Sequence, residues 1–492
     1  MTLKIKSLKH NFVMYFLRIF FNICFSIIIF PYVAKKISPE GLGKIQYVEA
    51  IAAYFILFIN LGISNYGKRE VAIYRNNKNK LSNITSELLI ILLFTTFIGL
   101  TFYFLFIKIF INDFQEKILF FIFSLTLLLN FFDLEWFYIG IENQDYITKR
   151  NIIFKIISGF LIFVLVKDKG SLFLYSGIIV FSLIGSNILN FFYLKKIINL
   201  KRRKIKDLKK HLKPIFLFFF SALSLSIAYN LDSIMLMKIK GATELGTYSV
   251  ALKFGKASQI FITAIVAITY PRICNYLRNN NKNEYLKLEK KIFNILLLFS
   301  IPASIGMFLL SKPIILLLVG NEFVNSIKVL QIFAILIFVI SIAVFTGSLT
   351  LLANKKEGIV TFALSIGAIL NIIFNYISIP LLGAVGAALA TLIIEIVGII
   401  LKIILGWEIF KELKIVNKNQ IKILFSSLIM GFFIIVLNKN ISSNFFELLL
   451  SVIFGSIVYV SGLFFLKEEL TTESAKKLKK EINERKNRNA NI

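Results

Sequence analysis

Cysteine, histidine and charged residues are all scarce in this sequence. Its 492 residues include 2 cysteines and 2 histidines, and only 17% of the side chains are charged. Because soluble proteins average about 25% charged residues, this composition excludes a soluble enzyme and a disordered chain. Cys24 and Cys274 are too few for a disulfide scaffold, and with the distant His10 and His211 they form no transition-metal site.

Catalytic motifs and helix-breaking residues are also missing. The sequence has no glycine-rich phosphate loop, no Ser/His/Asp set and no acidic pair in a sizeable outer loop, which argues against covalent chemistry. Of the 7 prolines, only Pro302 falls well inside an apolar run. Transporters that bind substrate at broken helices interrupt matching spans with Gly or Pro. We therefore predict continuous helices, with any cavity lying between helix bundles.

Long apolar runs fill most of the chain. Hydrophobic residues make up 57% of it, and the mean hydropathy is +0.78. A membrane-crossing helix needs about 20 mostly apolar residues, whereas the strands of a membrane β-barrel alternate apolar and polar residues. The runs are 11–34, 45–62, 84–107, 118–138, 151–166, 171–194, 214–237, 247–271, 292–310, 326–353, 358–379, 384–406, 421–437 and 444–466. They predict an all-α polytopic membrane protein with about 14 transmembrane helices.

The basic residues predict the orientation of these spans. The net charge is +30, but the basic residues lie in the loops between apolar runs, so we expect no nucleic-acid partner. With the N-terminus placed in the cytoplasm, 40 of the 57 basic residues fall on the cytoplasmic side and 11 on the opposite side. This bias predicts a multi-pass protein with both termini in the cytoplasm. The basic segments 195–213 and 467–492 are also candidates for contact with anionic membrane lipids.

A short internal repeat predicts the arrangement of the spans. Leu42-Gly43 follows the first span and Leu245-Gly246 follows the seventh, an offset of 203 residues. Six spans separate the two copies, so the halves run parallel, as in transporters built from two lobes. We predict two pseudo-symmetric six-helix lobes around a central cavity, followed by two further helices. The predicted domains are an N-terminal lobe (1–200), a C-terminal lobe (201–410), spans 13 and 14 (411–466) and a basic cytoplasmic tail (467–492).

Cationic residues inside two spans indicate the charge of the cargo. Arg18 and Asn22 lie on one polar stripe of span 1, and Lys253 and Lys256 share a face of span 8. Ionisable residues at membrane depth normally face a cavity or each other. We predict a cationic cavity that binds a phosphate or an acidic sugar. The alternative is that these long side chains extend towards the membrane surface and place their charges among the lipid headgroups.

A second set of polar residues in spans 7, 11 and 12 suggests ion coupling. Asp232, Asn371, Asn375 and Thr391 offer oxygen ligands for a hard monovalent cation such as sodium, and Glu395 offers a titratable proton site. Apart from Na⁺ or H⁺ as coupling ion, we expect no cofactor. The alternative is interhelical hydrogen bonding with small-residue packing, which membrane spans use routinely.

A third polar cluster lies at the predicted inner ends of spans 4 and 5. It combines the acidic residues Asp133 and Glu135 with the basic residues Lys149, Arg150 and Lys155. Opposite charges this close in a membrane protein normally neutralise each other. We predict that this cluster pairs internally.

Four stretches of the sequence resemble a known transporter family. They are FPYVAKKISPEGLG (30–43), LGISNYGKRE (61–70), EWFYIGIE (135–142) with YITKRN (146–151), and NLDSIML (230–236). They are similar to the Wzx-type flippases of polysaccharide biosynthesis, also called O-antigen or repeat-unit translocases. These belong to the exporter superfamily that includes MATE drug exporters and lipid II flippases.

This resemblance implies a fold, a location and an activity. It implies a V-shaped pair of six-helix lobes in the bacterial inner membrane. The implied activity moves an undecaprenyl-diphosphate-linked oligosaccharide from the inner to the outer leaflet by alternating access, for lipopolysaccharide or another surface polymer. The implied partners are this glycan lipid, the membrane lipids and the polysaccharide polymerase machinery.

The resemblance also extends to single residues. Lipid II flippases place arginines on spans 1, 2 and 8. Arg18 matches the first, Lys253 or Lys256 replaces the third, and Glu49 stands in span 2.

The ion site of some lipid II flippases is likewise similar to a set in this sequence. Those proteins bind sodium between spans 7, 11 and 12, where this chain carries Asp232, Asn371, Asn375 and Thr391. Asn375 stands where an acidic residue would be expected. The corresponding site here would therefore be weaker by one charge.

Two other functions fit the sequence less well than a flippase does. A MATE-like drug/cation antiporter is expected to favour an acidic or aromatic cavity, whereas this chain places Arg and Lys inside its spans. A membrane polymerase or glycosyltransferase is expected to carry large outer loops with catalytic residues. We therefore predict a transporter and not an enzyme.

Overall fold

The computed structural model describes residues 8–200, 205–413, 415, 417–439, 441 and 443–473. Every regular element in these ranges is helical. Eleven of the helical segments are long and apolar enough to cross a membrane. The all-α polytopic membrane class predicted from the sequence is therefore confirmed. Most of the predicted basic tail, 474–492, lies outside the described residues.

The helices follow one another with short connections. The first ten are α1 (Leu8–Lys36), α2 (Pro39–Asn60), α3 (Ile63–Tyr74), α4 (Lys78–Phe110), α5 (Phe114–Leu129), α6 (Glu135–Gly140), α7 (Gln144–Leu165), α8 (Leu172–Ile184), α9 (Asn187–Ile197) and α10 (Ile205–Lys240). The others are α11 (Ala242–Ser258), α12 (Ile260–Arg278), α13 (Lys282–Leu309), α14 (Ser311–Ile314), α15 (Ser326–Val344), α16 (Glu357–Leu382), α17 (Ala384–Leu405), α18 (Trp407–Leu413), α19 (Lys418–Lys439) and α20 (Asn444–Phe465). Short 3-10 segments cover Asn130–Phe132, Lys169–Ser171 and Asn321–Phe323, and π-helical segments cover Ile315–Val319 and Phe345–Leu351.

Three of the fourteen predicted spans are helical in the structure but are not among the eleven segments that are long and apolar enough to cross a membrane. The fifth span forms part of α7, the seventh lies in α10, and the eighth is divided between α11 and α12. Helix α7 carries three basic residues along its length, which lowers its hydropathy. The count of fourteen spans therefore stays a prediction.

The predicted continuity of the helices is wrong for the fourth, sixth and eighth spans, which are interrupted after α5, α8 and α11. Helix α5 ends at Leu129, and Asp133 leaves the helical conformation with φ −75° and ψ 86°. The Asp133 carboxylate accepts a hydrogen bond from the backbone N–H of Glu135 at 3.4 Å. Asp and Asn side chains that bind nearby backbone compete with the helix in this way. The break places Glu135 at the first position of α6.

The prolines, in contrast, do not break the helices. Helices α1, α10, α12, α13 and α16 each contain one, namely Pro31, Pro214, Pro271, Pro302 and Pro380. In a membrane protein, neighbouring groups satisfy the backbone carbonyl that such a proline leaves free. Proline position was therefore a poor guide to helix ends in this chain.

The two copies of the internal repeat lie against each other. A Cβ atom built on Gly43 would lie 1.8 Å from the carbonyl oxygen of Ala242, and one on Gly246 would lie 1.8 Å from that of Pro39. Each contact joins residues that the 203-residue offset exchanges, so the two contacts are pseudo-symmetric equivalents. The first turns of α2 and α11 thus approach so closely that only glycine fits at both crossing points.

A second glycine shapes the corner after α2. Leu61 and Gly62 both have positive φ, 43° and 85°, which turns the chain from α2 into α3. A Cβ on Gly62 would lie 2.6 Å from the carbonyl oxygen of Ile215 in α10. Glycine meets both the conformational and the steric requirement of this corner.

The chain divides into two compact units. One comprises Met1–Ser249 with Asn371–Ala387, and the other comprises Val250–Leu370 with Ala388–Ile492. In the second unit, one apolar core forms around Ile292 and Phe345, and another, around Met430 and Tyr459, joins α13 to α19 and α20. These units are defined by contacts within the chain, whereas the predicted lobes, with a boundary near residue 200, were inferred from the sequence repeat. The lobes therefore stay a prediction.

Candidate functional site

Arg18 is buried within the first unit and forms an ion pair. Its side chain projects from α1, and Nη1 donates a hydrogen bond to Oε2 of Glu135 at 3.1 Å. Only 9% of the residue is exposed. The guanidinium also lies 5.6 Å from the ring centre of Tyr15. The cation predicted in span 1 is therefore held against a carboxylate.

Glu135 also binds a second arginine. Arg150, at the start of α7, donates from Nη2 to Oε1 of Glu135 at 2.7 Å, so the carboxylate bridges two guanidinium groups. Arg150 also donates from Nη1 to the side-chain oxygen of Asn190. The side-chain amide of Asn190 in turn donates to the backbone oxygen of Phe132, and the backbone oxygen of Asn190 accepts from the hydroxyl of Tyr138. Of the cluster predicted to pair internally, Glu135 and Arg150 do so, and Arg18 joins them from outside the cluster.

The remaining members of the predicted clusters around α1 take other positions. Asn22 is half-buried, and its side-chain oxygen has no hydrogen-bond partner among the described residues. Lys155 lies 5.0 Å from the ring centre of Phe25, and Lys149 pairs with Asp145 at 3.2 Å. Asn22 therefore offers a free acceptor beside the arginine on the same helix.

Lys253 and Lys256 lie near the end of α11, in the second unit. Lys253 is half-buried and Lys256 is exposed. The helix ends at Ser258, and α12 begins at Ile260. Arg18 belongs to the first unit, so a cationic cavity shared by these residues stays a prediction.

Three of the four predicted ion ligands lie together in the first unit. Oδ1 of Asp232 accepts from the side-chain amides of Asn371 at 3.0 Å and Asn375 at 2.7 Å, and Oδ2 accepts from the hydroxyl of Tyr248 at 3.0 Å. Asn375 also donates to the side-chain oxygen of Asn371 at 3.1 Å. Asp232 and both asparagines are buried.

The arrangement suits a cation as well as a hydrogen-bonded core. The side-chain oxygen of Asn375 is buried and has no partner among the described residues. Rotating the two amides would turn their oxygens towards a cation beside Asp232, with the carboxylate supplying the charge. Tyr248 also belongs to this group, and it was not predicted because its role depends on the packing of α11 against α10.

Thr391 and Glu395 lie on α17 in the second unit, and both are half-buried. Lys402, two turns further along the helix, is the charged neighbour of Glu395 and donates from Nζ to the backbone oxygen of Ala343 at 3.2 Å. Because Asp232 belongs to the first unit, the participation of Thr391 in its site stays a prediction.

A chain of buried polar side chains, which was not predicted from the sequence, connects α3, α4 and α10. Nδ1 of His211 lies 2.7 Å from the hydroxyl of Tyr66, and Nε2 lies 2.8 Å from Oε2 of Glu87, which also pairs with Lys210 at 2.9 Å. Burial raises the pKa of Tyr66 to about 12, so its hydroxyl keeps its proton at neutral pH. The partners are more than a hundred residues apart, and no local pattern marks them.

An apolar cavity lies within the second unit. It has a volume of about 510 Å³ and lies between α13, α19 and α20. Its walls include Phe299, Pro302, Met430, Leu448 and Val460. Such a lining suits a hydrocarbon chain.

Comparison with known proteins identifies the fold. A solved structure of the lipid II flippase MurJ, in an inward closed conformation, superimposes with a TM-score of 0.72 at 19% identity, covering 93% of this chain and 99% of that one. An inward-facing multidrug resistance MATE transporter of the MOP superfamily gives a TM-score of 0.61 at 14% identity, covering 81% and 95% of the two chains. The fold is therefore that of the MurJ and MATE exporters.

Sequence comparison identifies the family. A candidate O-antigen transporter of Escherichia coli (strain K12) is 23% identical over 391 residues, which cover 76% of this chain and 90% of the relative. The profile of the lipid II flippase MurJ family matches residues 154–455. The profile of the polysaccharide biosynthesis protein family matches residues 8–277, more than half of the chain. This chain belongs to the polysaccharide biosynthesis protein family, as its resemblance to the Wzx-type flippases predicted.

Proposed function

We propose that the protein is a flippase that moves undecaprenyl-diphosphate-linked oligosaccharide repeat units across the membrane. The observation that carries the proposal is the pair of buried arginines, Arg18 inside the first apolar run and Arg150 just before the fifth. Burying a guanidinium group is costly, and its geometry matches that of phosphate oxygens. The family and its O-antigen relatives supply the class of cargo.

The cargo has three chemical parts, and the chain offers a feature for each. The arginines suit the diphosphate, and a cavity between helix bundles would hold the glycan during alternating access. The apolar cavity beside α19 and α20 suits part of the isoprenoid chain. Transport would run from the cytoplasmic to the outer leaflet of the bacterial inner membrane, with both termini in the cytoplasm, as the distribution of basic residues indicates.

Ion coupling is part of this proposal. Asp232 with Asn371 and Asn375 would bind sodium, with Thr391 as a further ligand, whereas Glu395 would instead couple transport to protons. The support for sodium is a buried carboxylate beside two side-chain amides that can rotate to present their oxygens to a cation. Polysaccharide polymerase machinery would take up the delivered repeat unit.

The alternative is a drug/cation antiporter with the same fold. The MATE structures share the fold, but buried arginines repel a cationic drug. Reconstitution in vesicles separates the two functions. We expect the purified protein to translocate a fluorescent undecaprenyl-diphosphate oligosaccharide. The efflux of ethidium should be the same as from vesicles without the protein. Ethidium transport without lipid translocation would establish the antiporter instead.

A further inference from the structure

The three side chains of the arginine bridge differ in exposure. Of the side chain of Arg150, 3% is exposed, against 11% for Arg18 and 31% for Glu135. The carboxylate is thus the most accessible of the three groups, and it bonds both guanidiniums. The partner that can leave the bridge most easily is Glu135.

Arg150 is fixed independently of this carboxylate. The side chain of Asn190 accepts from its Nη1, and the ring of Tyr146 lies 5.9 Å from the guanidinium. Its Nε donor is buried and has no partner among the described residues. A buried guanidinium with an unused donor can bind more acceptor oxygens than one carboxylate supplies.

Charge around the bridge favours a further anion. Asp133, which lies in the loop just before α6, interacts electrostatically with Glu135, with Arg150 and with Lys68 on α3. Together with Arg18, these named groups carry three positive and two negative charges. A group with more than one negative charge would be attracted more strongly than the single carboxylate it replaces.

We propose that Arg18 and Arg150 form a diphosphate-binding site in which Glu135 holds the anion position until the cargo displaces it. This inference rests on the proposed function and adds a selection step to it. Phosphate oxygens form bidentate bonds with guanidinium groups, as the carboxylate does, but a diphosphate offers more oxygens and more charge. A monoanionic lipid headgroup has no such advantage over Glu135. The carboxylate therefore acts as a specificity-determining residue that admits a diphosphate and returns when the cargo leaves.

The test measures binding of geranyl diphosphate to the purified full-length protein, with geranyl phosphate and phosphatidylglycerol as comparison ligands. Glu135→Gln removes the competing charge and is expected to tighten geranyl diphosphate binding about tenfold, as for other close charge pairs. Adding Arg18→Gln to this variant should abolish the gain. Because the carboxylate no longer displaces the cargo, vesicle translocation by Glu135→Gln at saturating substrate should be several-fold slower.

The matched control is Glu142→Gln. Glu142 has the same exposed fraction of side chain, 31%, and pairs with a different arginine, Arg75. Its substitution should leave the binding of geranyl diphosphate unchanged. Glu135→Asp, which keeps the charge but shortens the side chain, should give intermediate affinity and serves if Glu135→Gln does not fold.

Several outcomes would overturn the inference. Unchanged affinity in the Glu135 variants, or an equal gain in Glu142→Gln, would show that Glu135 does not compete for the site. An equal gain for phosphatidylglycerol would assign the arginines to ordinary headgroup binding. If the wild-type protein translocates the lipid-linked oligosaccharide but the Glu135 variants bind and translocate like the wild type, only the exchange at Glu135 is overturned. If the wild-type protein does not translocate this lipid, the proposed function is overturned.

Discussion

At the residue scale, Arg18 shows how a charge is kept inside an apolar helix. The sequence placed it on a polar stripe of the first span, and the structure pairs it with Glu135 in α6, 117 residues away. Helical period predicts which side chains share a face, but it cannot predict partners on another helix. The cation was predictable for this reason, and the carboxylate that bridges it to Arg150 was not.

Substitution of Arg18 tests the need for a cation. We expect Arg18→Ala to reduce transport at least tenfold, because it removes a phosphate ligand and leaves Glu135 with one guanidinium. Arg18→Lys keeps the charge and should retain a substantial part of the activity. Surface polymer in a complemented deletion strain, normalised to protein in the membrane, is the measurement. Equal and near-normal complementation by both variants would exclude a role for the charge.

The Asp232 group was predicted more fully than the arginine bridge. Asp232, Asn371 and Asn375 were selected because they lie on polar helical faces and offer oxygen ligands, and the structure brings all three into hydrogen-bond contact. Tyr248 was missed, and Thr391 and Glu395 remain untested as ligands. Residues on a few neighbouring polar faces can thus be predicted to meet, whereas the full ligand set depends on the packing of further helices.

Substitution of Asp232 tests ion coupling. If the site binds sodium, Asp232→Ala should abolish any sodium dependence of translocation in vesicles, because it removes the only carboxylate among these ligands. Glu395→Gln is the comparison variant and should leave sodium dependence intact while removing any proton dependence. Persistence of sodium-dependent transport in Asp232→Ala would show that the ion binds elsewhere.

At the scale of elements, the sequence predicted the apolar spans but not the interruptions within them. At the break, the Asp133 side chain accepts a hydrogen bond from the backbone N–H of Glu135, and prolines such as Pro302 lie inside continuous helices. Such bonds between a side chain and nearby backbone depend on local geometry, and the membrane environment makes proline tolerable. Residue type alone therefore could not locate the breaks.

The crossing of α2 and α11 yields a stability prediction. Gly43→Ala and Gly246→Ala would each place a methyl group 1.8 Å from a backbone oxygen, so the helices must move apart. We expect each variant to lose about 1–3 kcal/mol of stability, the usual cost of overpacking. The melting temperature of the purified protein in detergent measures this loss.

The control for this pair is Gly306→Ala in α13. A Cβ atom there would meet nothing within 4 Å, so the substitution should be neutral or raise the melting temperature slightly. If Gly43→Ala and Gly246→Ala behave like Gly306→Ala, the close crossing of the two helices is wrong. Unequal losses in the first two would contradict the equivalence of the repeated contacts.

At the scale of the whole molecule, composition and charge distribution carried the class of the protein. The scarcity of charge and the long apolar runs predicted a polytopic helical protein, and the structure and its MurJ-like fold confirm it. The bias of basic residues predicts the orientation, which the fold by itself does not contain. Only the resemblance of short motifs suggested the class of cargo, because proteins with one fold can transport many different cargoes.

Cysteine labelling tests the orientation. In a Cys24→Ala, Cys274→Ala background, Glu322→Cys should react with a membrane-impermeant maleimide in intact spheroplasts. Lys209→Cys should react only after the membrane is permeabilised, since it lies in the basic segment 195–213, which is predicted to be cytoplasmic. Both positions are exposed in the structure. The reverse pattern would invert the proposed topology and the direction of transport.

The central claim is that the protein moves a lipid-linked repeat unit between leaflets. Deleting the protein and analysing undecaprenyl-linked intermediates in each leaflet tests this claim most directly. We predict that a complete repeat unit accumulates on the inner leaflet while surface polymer is lost, and its mass would identify the cargo. Unpolymerised units on the outer leaflet, or unchanged lipid-linked sugars, would contradict the proposed function.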